Sequence, residues 1–289
     1  HATLLAMFSM IAGFATNIVL DWLFVSVLQY EMEGAALATI IGQAVTLLPC
    51  LFFLIRKKYL TRYAVYRPIG RVVREILVVG ISPFGLTLSP NIAIIILNKG
   101  AVLFGGDAAV ACYAVVSYIV CIIQLLLQGI GDGVQPLISC YFGMGSLDSL
   151  KKLRKMAYIF SFSVSAVCMV LIFLLRRPLS DFFGASPAIV TEVVRVLPIF
   201  IAGFLFIAFL RITISYLYAI KKNPFAYALI YGEPVLLLIL SIFVMPRLAG
   251  LDGVWMSVPI TQGVLSLVGL FFLWLERKAA SVPEISSAP

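Results

Sequence analysis

Charged side chains are scarce: Asp, Glu, Lys and Arg make up 12% of the 289 residues, against about 25% in soluble domains. Histidine occurs once, as His1, so imidazole acid–base chemistry and His-rich metal centres have no residues to build on. The five cysteines (Cys50, Cys112, Cys121, Cys140, Cys168) form no CxxC pair, and each sits inside an apolar run. They read as small hydrophobes, which excludes a disulfide framework and a zinc site. Clustered aspartates that would hold Mg²⁺ in a membrane-embedded transferase are missing as well. No leader pattern of basic start, short apolar core and small-residue cleavage site opens the chain. The sequence thus predicts no enzyme, no metal and no cofactor.

What is present is overwhelmingly apolar: 62% hydrophobic residues and a mean hydropathy of +1.10. A soluble globule of this size cannot hide that much apolar surface, and disorder is excluded by the abundance of Phe, Leu, Ile and Val. A membrane helix needs about 20 mostly apolar residues. Eight stretches qualify: 2–28, 33–55, 76–98, 107–138, 155–175, 196–220, 225–246 and 252–275. Barrel strands would alternate over about ten residues, whereas these runs are longer and continuously apolar. The expectation is an all-α, multi-pass membrane protein with eight transmembrane helices.

Cations fall mainly in alternate connections. Arg56, Lys57, Lys58, Arg62, Arg67, Arg71 and Arg74 follow the second span, and Lys151, Lys152, Arg154 and Lys155 follow the fourth. Lys221 and Lys222 follow the sixth, and Arg277 and Lys278 the eighth. That face carries fifteen cations and the other face five (Lys99, Arg176, Arg177, Arg195, Arg247), with Arg211 inside a span. The asymmetry places the basic face and the C-terminus in the cytoplasm of a plasma-membrane protein. The formal charge of +8 is then topology plus attraction to anionic membrane lipid, and no nucleic-acid partner is expected.

Residues 59–75 form the longest basic connection and read as a linker. They separate residues 1–58 from a six-helix region, 76–278, with a polar tail at 279–289. A shift of 219 positions lays Glu33–Gly34 on Asp252–Gly253, Gln43 on Gln262, and Phe52–Phe53–Leu54 on Phe271–Phe272–Leu273. If the second span repeats the eighth, residues 1–58 are the last two helices of an N-terminal six-helix lobe. On the order of 140 residues, four further spans, are then expected upstream.

The densest motif is Gln128–Gly145, QGIGDGVQPLISCYFGMG, in which Gly129, Gly131, Gly133, Gly143 and Gly145 accompany Gln135 and Pro136. Such a run is poor helix material in water. In a membrane its glycines permit close helix approach, and the proline frees a carbonyl that needs a partner. Asp132 within it reads either as a solvated interfacial carboxylate or as a coupling group. The motif resembles the second-lobe signature of the multidrug and toxic compound extrusion (MATE) transporters, bacterial branch. Asn17–Asp21 with Gly34–Thr39 is similar to that family's fifth and sixth helices, and Gly250–Trp255 to the entry of its twelfth. Tyr141 departs from the Asn of many members, Gly232–Glu233–Pro234 departs from an often cationic pattern, and Ser89–Pro90–Asn91 offers no seventh-helix carboxylate. The resemblance implies two six-helix lobes in a V around a substrate cavity. It implies an antiporter that exports organic, mostly cationic, small molecules in exchange for H⁺ or Na⁺, monomeric when full length. A flippase of lipid-linked oligosaccharides is the alternative within the same superfamily. It would call for a larger central cluster of cations than Arg211 alone.

Ionisable and polar groups at membrane depth are the site candidates. Asn17 and Asp21 are four residues apart and share a helix face. They either attract a cation or make a packing contact. Arg211 and Glu233 flank the turn at Asn223 at matching depth, which predicts an ion pair serving as a static clasp or as a switch. Asn91, Asn98, Tyr118, Gln124, Thr213, Ser215 and Tyr216 either bond neighbouring helices or together line a wet cavity.

Overall fold

The computed structural model describes residues 2–56, 69–183 and 186–280, and within these every regular element is a helix. Two compact units emerge, residues 1–69 and 70–289. Most of the basic linker, residues 57–68, and the tail residues 281–289 lie outside the described residues.

The first unit is a helical hairpin. Helix α1, Ala2–Asp21, passes into a π-helical turn at Trp22–Val27, and α2 runs from Glu31 to Arg56. Two glycines let the helices cross closely: a Cβ on Gly13 would overlap the Thr46 hydroxyl, and one on Gly42 would lie 2.9 Å from the Asn17 Cβ. Large side chains such as Phe8, Phe14, Ile18 and Leu47 stay exposed. Water would not tolerate so apolar an exterior, but hydrocarbon does.

The second unit comprises α3 (Ile69–Gly143), α4 (Leu147–Phe182), α5 (Pro187–Ile201), α6 (Phe204–Ala219), α7 (Asn223–Leu238) and α8 (Met245–Ala280). A second π-helical turn, Ile239–Val244, joins α7 to α8. Among the described residues five helical runs are long and apolar enough to cross a membrane, or six if α5 and α6 count as one. Two runs are broken inside. Gly106, at φ 64°, divides α3, and Ala249–Gly250, with Gly250 at φ 55°, divides α8. Glycine suits both breaks because it adopts positive φ without a Cβ clash.

The sequence reads 196–220 as one uninterrupted span. The structure corrects this: α5 and α6 meet at 44°. Gly203 N–H turns back to the Phe200 carbonyl at 3.0 Å, a tightened final turn of the kind that ends helices. Pro259 of α8 packs on Gly203, where an added Cβ would stand 3.5 Å from its Cα.

Packing in this unit has two centres. In one, Tyr113, Phe200 and Trp255 form an aromatic cluster, with Tyr113 stacked on Trp255 at 5.6 Å. In the other, Ile138, Leu217, Leu229 and Ile230 gather α3, α6 and α7. Gly131 lies directly against α6: its Cβ would come within 2.7 Å of the Ser215 hydroxyl and 3.2 Å of the Arg211 carbonyl. Lipid gives helix association little hydrophobic drive, so such small-residue contacts and tight interlocking carry the assembly. At one end of the bundle Arg195 grips both oxygens of Asp252 at 2.8 and 2.9 Å and also pairs with Glu192, fastening α5 to α8.

Candidate functional site

Glu233 stands mid-way along α7, at a Gly–Glu–Pro step that brings a carboxylate among apolar helices. Both its oxygens are held by neutral donors. Gln262 of α8 donates to Oε1 at 2.7 Å, and Ser89 of α3 donates to Oε2 at 3.2 Å. Beside it lies a cavity of about 60 Å³, lined by Gln124, Ser117, Tyr113, Thr261 and Gln262 among others. The Thr261 hydroxyl is buried there without a hydrogen-bond partner among the described residues. A smaller void of about 10 Å³ continues from the same three residues, Gln124, Glu233 and Gln262, to Arg211.

The expected Arg211–Glu233 ion pair does not form. Both side chains reach the smaller void, yet among the described residues no ion pair within 4.0 Å joins them. Ser89 and Gln262 already occupy the carboxylate. Arg211 is nonetheless only 7% exposed, and its charge acts on Asp132, which also has Gln128 within hydrogen-bonding reach. Arg211 and Glu233 thus line one void without pairing.

The other candidates disperse. Gln124 joins the chamber. Asn91 turns back to the Thr87 carbonyl at 2.8 Å, Asn98 is half-buried outside both voids, and Tyr118 is exposed and stacked on Phe183. Tyr216 is buried and donates to Glu276 at 3.3 Å. Thr213 bonds Tyr158 at 2.8 Å. Among the motif's glycines only Gly131 meets a neighbouring helix; Gly129, Gly133 and Gly143 face open space. Gln135 bonds Ser139 at 3.1 Å, and Pro136 sits inside α3. In the first unit Asn17 and Asp21 are half-buried, and Asn17 Nδ2 and Asp21 Oδ1 are shielded with no hydrogen-bond partner among the described residues. Asp21 immediately precedes the π-helical turn.

Sequence reasoning missed Ser89, Thr261 and Gln262. Gln262 was visible only as a repeat match to Gln43; that a mid-helix Gln faces a mid-helix Glu requires the packing to be known.

The MatE family profile matches residues 86–243, more than half of the chain, a stretch that holds Ser89, Gln124, Arg211 and Glu233. The chain belongs to the MatE family. Among relatives of MatE type, the multidrug export protein MepA of Staphylococcus saprophyticus is 27% identical over 98% of this chain, and that of Staphylococcus haemolyticus 25%. The chain spans 62% of the length of each. In fold it is similar to an outward-facing multidrug resistance MATE transporter of the MOP superfamily, with a TM-score of 0.82 at 22% identity, over 94% of this chain and 62% of the other. A MOP superfamily transporter from Pyrococcus furiosus, described as having a binding pocket of reverse polarity, matches with a TM-score of 0.84 at 24% identity, over 95% and 62%. Membership of the MatE family, together with several helical runs long and apolar enough to cross a membrane, makes this a multi-pass membrane protein.

Proposed function

We propose that the chain forms part of a secondary active multidrug exporter in which the Glu233 chamber receives the coupling ion, H⁺ or Na⁺. The observation that carries this reading is a carboxylate with two neutral donors and, among the described residues, no cation paired to it, opening on a cavity of about 60 Å³. Such a volume accommodates a water or a bare ion and falls far below the roughly 300–1,000 Å³ of a drug pocket. The cargo, organic cations by family resemblance, therefore binds elsewhere. Antiport requires that ion and cargo favour different conformations, since a ligand indifferent to both shifts nothing.

The breaks at Gly106 and Gly250, with α5 and α6 as one bent span, support eight crossings. On this reading they are two helices of one lobe followed by a six-helix lobe, in a monomer surrounded by plasma-membrane lipid. The bias of cations puts the C-terminus in the cytoplasm.

The test is ion binding by the purified protein in detergent. ²²Na⁺ binding and proton release on Na⁺ addition are measured beside the Glu233→Gln variant, together with dye efflux from cells at varied pH and Na⁺. Loss of the ion response in the variant supports the reading. An unchanged ion response in binding and in efflux overturns it.

A further inference from the structure

The Glu233 chamber is dwarfed by a second cavity of the same unit. This one lies at the bundle end where α3 turns into α4 and where α6 and α8 finish, with a volume of about 880 Å³. Four cations line it: Lys151, Arg154, Lys155 and Arg277. They face the Glu276 carboxylate within the pocket and Asp148, which lies 3.8 Å from Lys151 and is 93% exposed. Positive charge is therefore left over.

Arg154 is the fixed element. Its guanidinium lies 4.4 Å above the Tyr216 ring and is 12% exposed. The nearest carboxylate oxygen, on Glu276, is 3.9 Å away, too far for a hydrogen bond. Glu276 is itself engaged by the Tyr216 hydroxyl. Arg154 Nη1 is thus shielded and has no hydrogen-bond acceptor among the described residues. A buried guanidinium donor without a partner costs free energy unless an acceptor arrives, and a planar fork of this kind matches a phosphate. Below the cations the wall turns apolar, with Phe142, Leu147, Ile159 and Phe162 partly exposed, so the pocket runs from charge onto a lipid-facing flank.

We propose that this pocket binds a phosphate ester, seating it on Arg154 with Lys151 and Lys155 at the rim, and that its source is the headgroup of an anionic phospholipid whose chains lie along Phe162 and Ile159. Basic pockets between helices at one membrane face suit such headgroups. The bound phosphate would tie the start of α4 to the ends of α6 and α8, the last carrying Gln262 of the ion chamber.

The purified protein is titrated with dioctanoyl-phosphatidylglycerol, dioctanoyl-phosphatidylcholine and inorganic phosphate, each against unchanged protein and Lys151→Gln/Lys155→Gln. Both lysines are exposed, so the double variant folds, and a melting curve checks this; Arg154→Gln is the second variant. Saturable binding of phosphatidylglycerol, about tenfold or more weaker in the double variant and weaker still in Arg154→Gln, supports the site. Phosphatidylglycerol binding far more tightly than inorganic phosphate assigns the source to lipid. Equal affinity for inorganic phosphate supports the phosphate seat and moves its source to solution. Equal binding of both lipids, or binding indifferent to both variants, overturns the proposal.

Discussion

Glu31 and Gly250 lie 219 positions apart and share a positive φ, of 45° and 55°. The same spacing relates Gly34 to Gly253, and at both an added Cβ would strike the end of the preceding helix, Phe24 in one case and the Met245 carbonyl in the other. The two π-helical turns, Trp22–Val27 and Ile239–Val244, fall within two residues of that spacing. A widened helix, a corner of positive φ and a glycine against the corner thus recur as one device. This is the structural counterpart of the sequence repeat.

The device predicts opposite outcomes at equivalent positions. A non-glycine residue in the left-handed region costs about 1–2 kcal/mol, so Glu31→Gly should raise the melting temperature in detergent, whereas Gly250→Ala should lower it. Glu31→Ala, which removes the charge but keeps the Cβ, should not reproduce the gain. Thermal melts of the three variants decide.

Glu233→Gln should leave the fold intact, because an amide fills the same space and its carbonyl still accepts from Gln262 or Ser89. The melting temperature should move by only a few degrees while ion-dependent export falls about tenfold or more. Glu233→Ala should lower stability too, by leaving the Gln262 amide unbonded at a cost of about 1–3 kcal/mol. Melts and efflux measured on the same preparations separate the two effects.

Gly131→Val should destabilise by about 1–3 kcal/mol, since the new side chain meets the Ser215 hydroxyl and the Arg211 backbone. Gly129→Ala and Gly133→Ala face open space and should be neutral or slightly stabilising through helix propensity. Equal effects at all three glycines would contradict the packing described.

Arg195→Gln removes the grip on Asp252 and Glu192. Because the guanidinium is about half exposed (48%), the loss should stay below about 1 kcal/mol and should shrink as salt is raised. A large loss independent of salt would mean that the clasp is more deeply shielded than its exposure indicates.

The length of the apolar runs made the helical class legible, because lipid imposes a continuous run of about 20 residues on any helix that crosses it. The family resemblance rested on the motifs Gln128–Gly145, Asn17–Asp21 with Gly34–Thr39, and Gly250–Trp255. The bend between α5 and α6 was not legible, since Ala202–Gly203 interrupts the backbone without interrupting hydropathy. Nor were the π-helical turns, whose single inserted residue leaves no compositional mark. For the site, the cost of burying charge singled out Arg211 and Glu233, but opposite charge was a misleading guide to partners. Neutral Ser89 and Gln262 satisfy the carboxylate, and polar neutral residues in membrane helices are too common to be chosen by type.

The narrowness of the chamber beside Glu233 bears on kinetics. If the Glu233 chamber seats the coupling ion as proposed, a molecule of drug size cannot evict the ion by taking its seat there, and the two ligands do not contend for one set of atoms. On that proposal their antagonism is relayed by displacement of the helices that hold Glu233 and its donors, α3, α7 and α8, and raising one should depress the maximal rate of the other's release rather than merely its apparent affinity. Blockers that mimic the cargo would then leave the ion's seat filled.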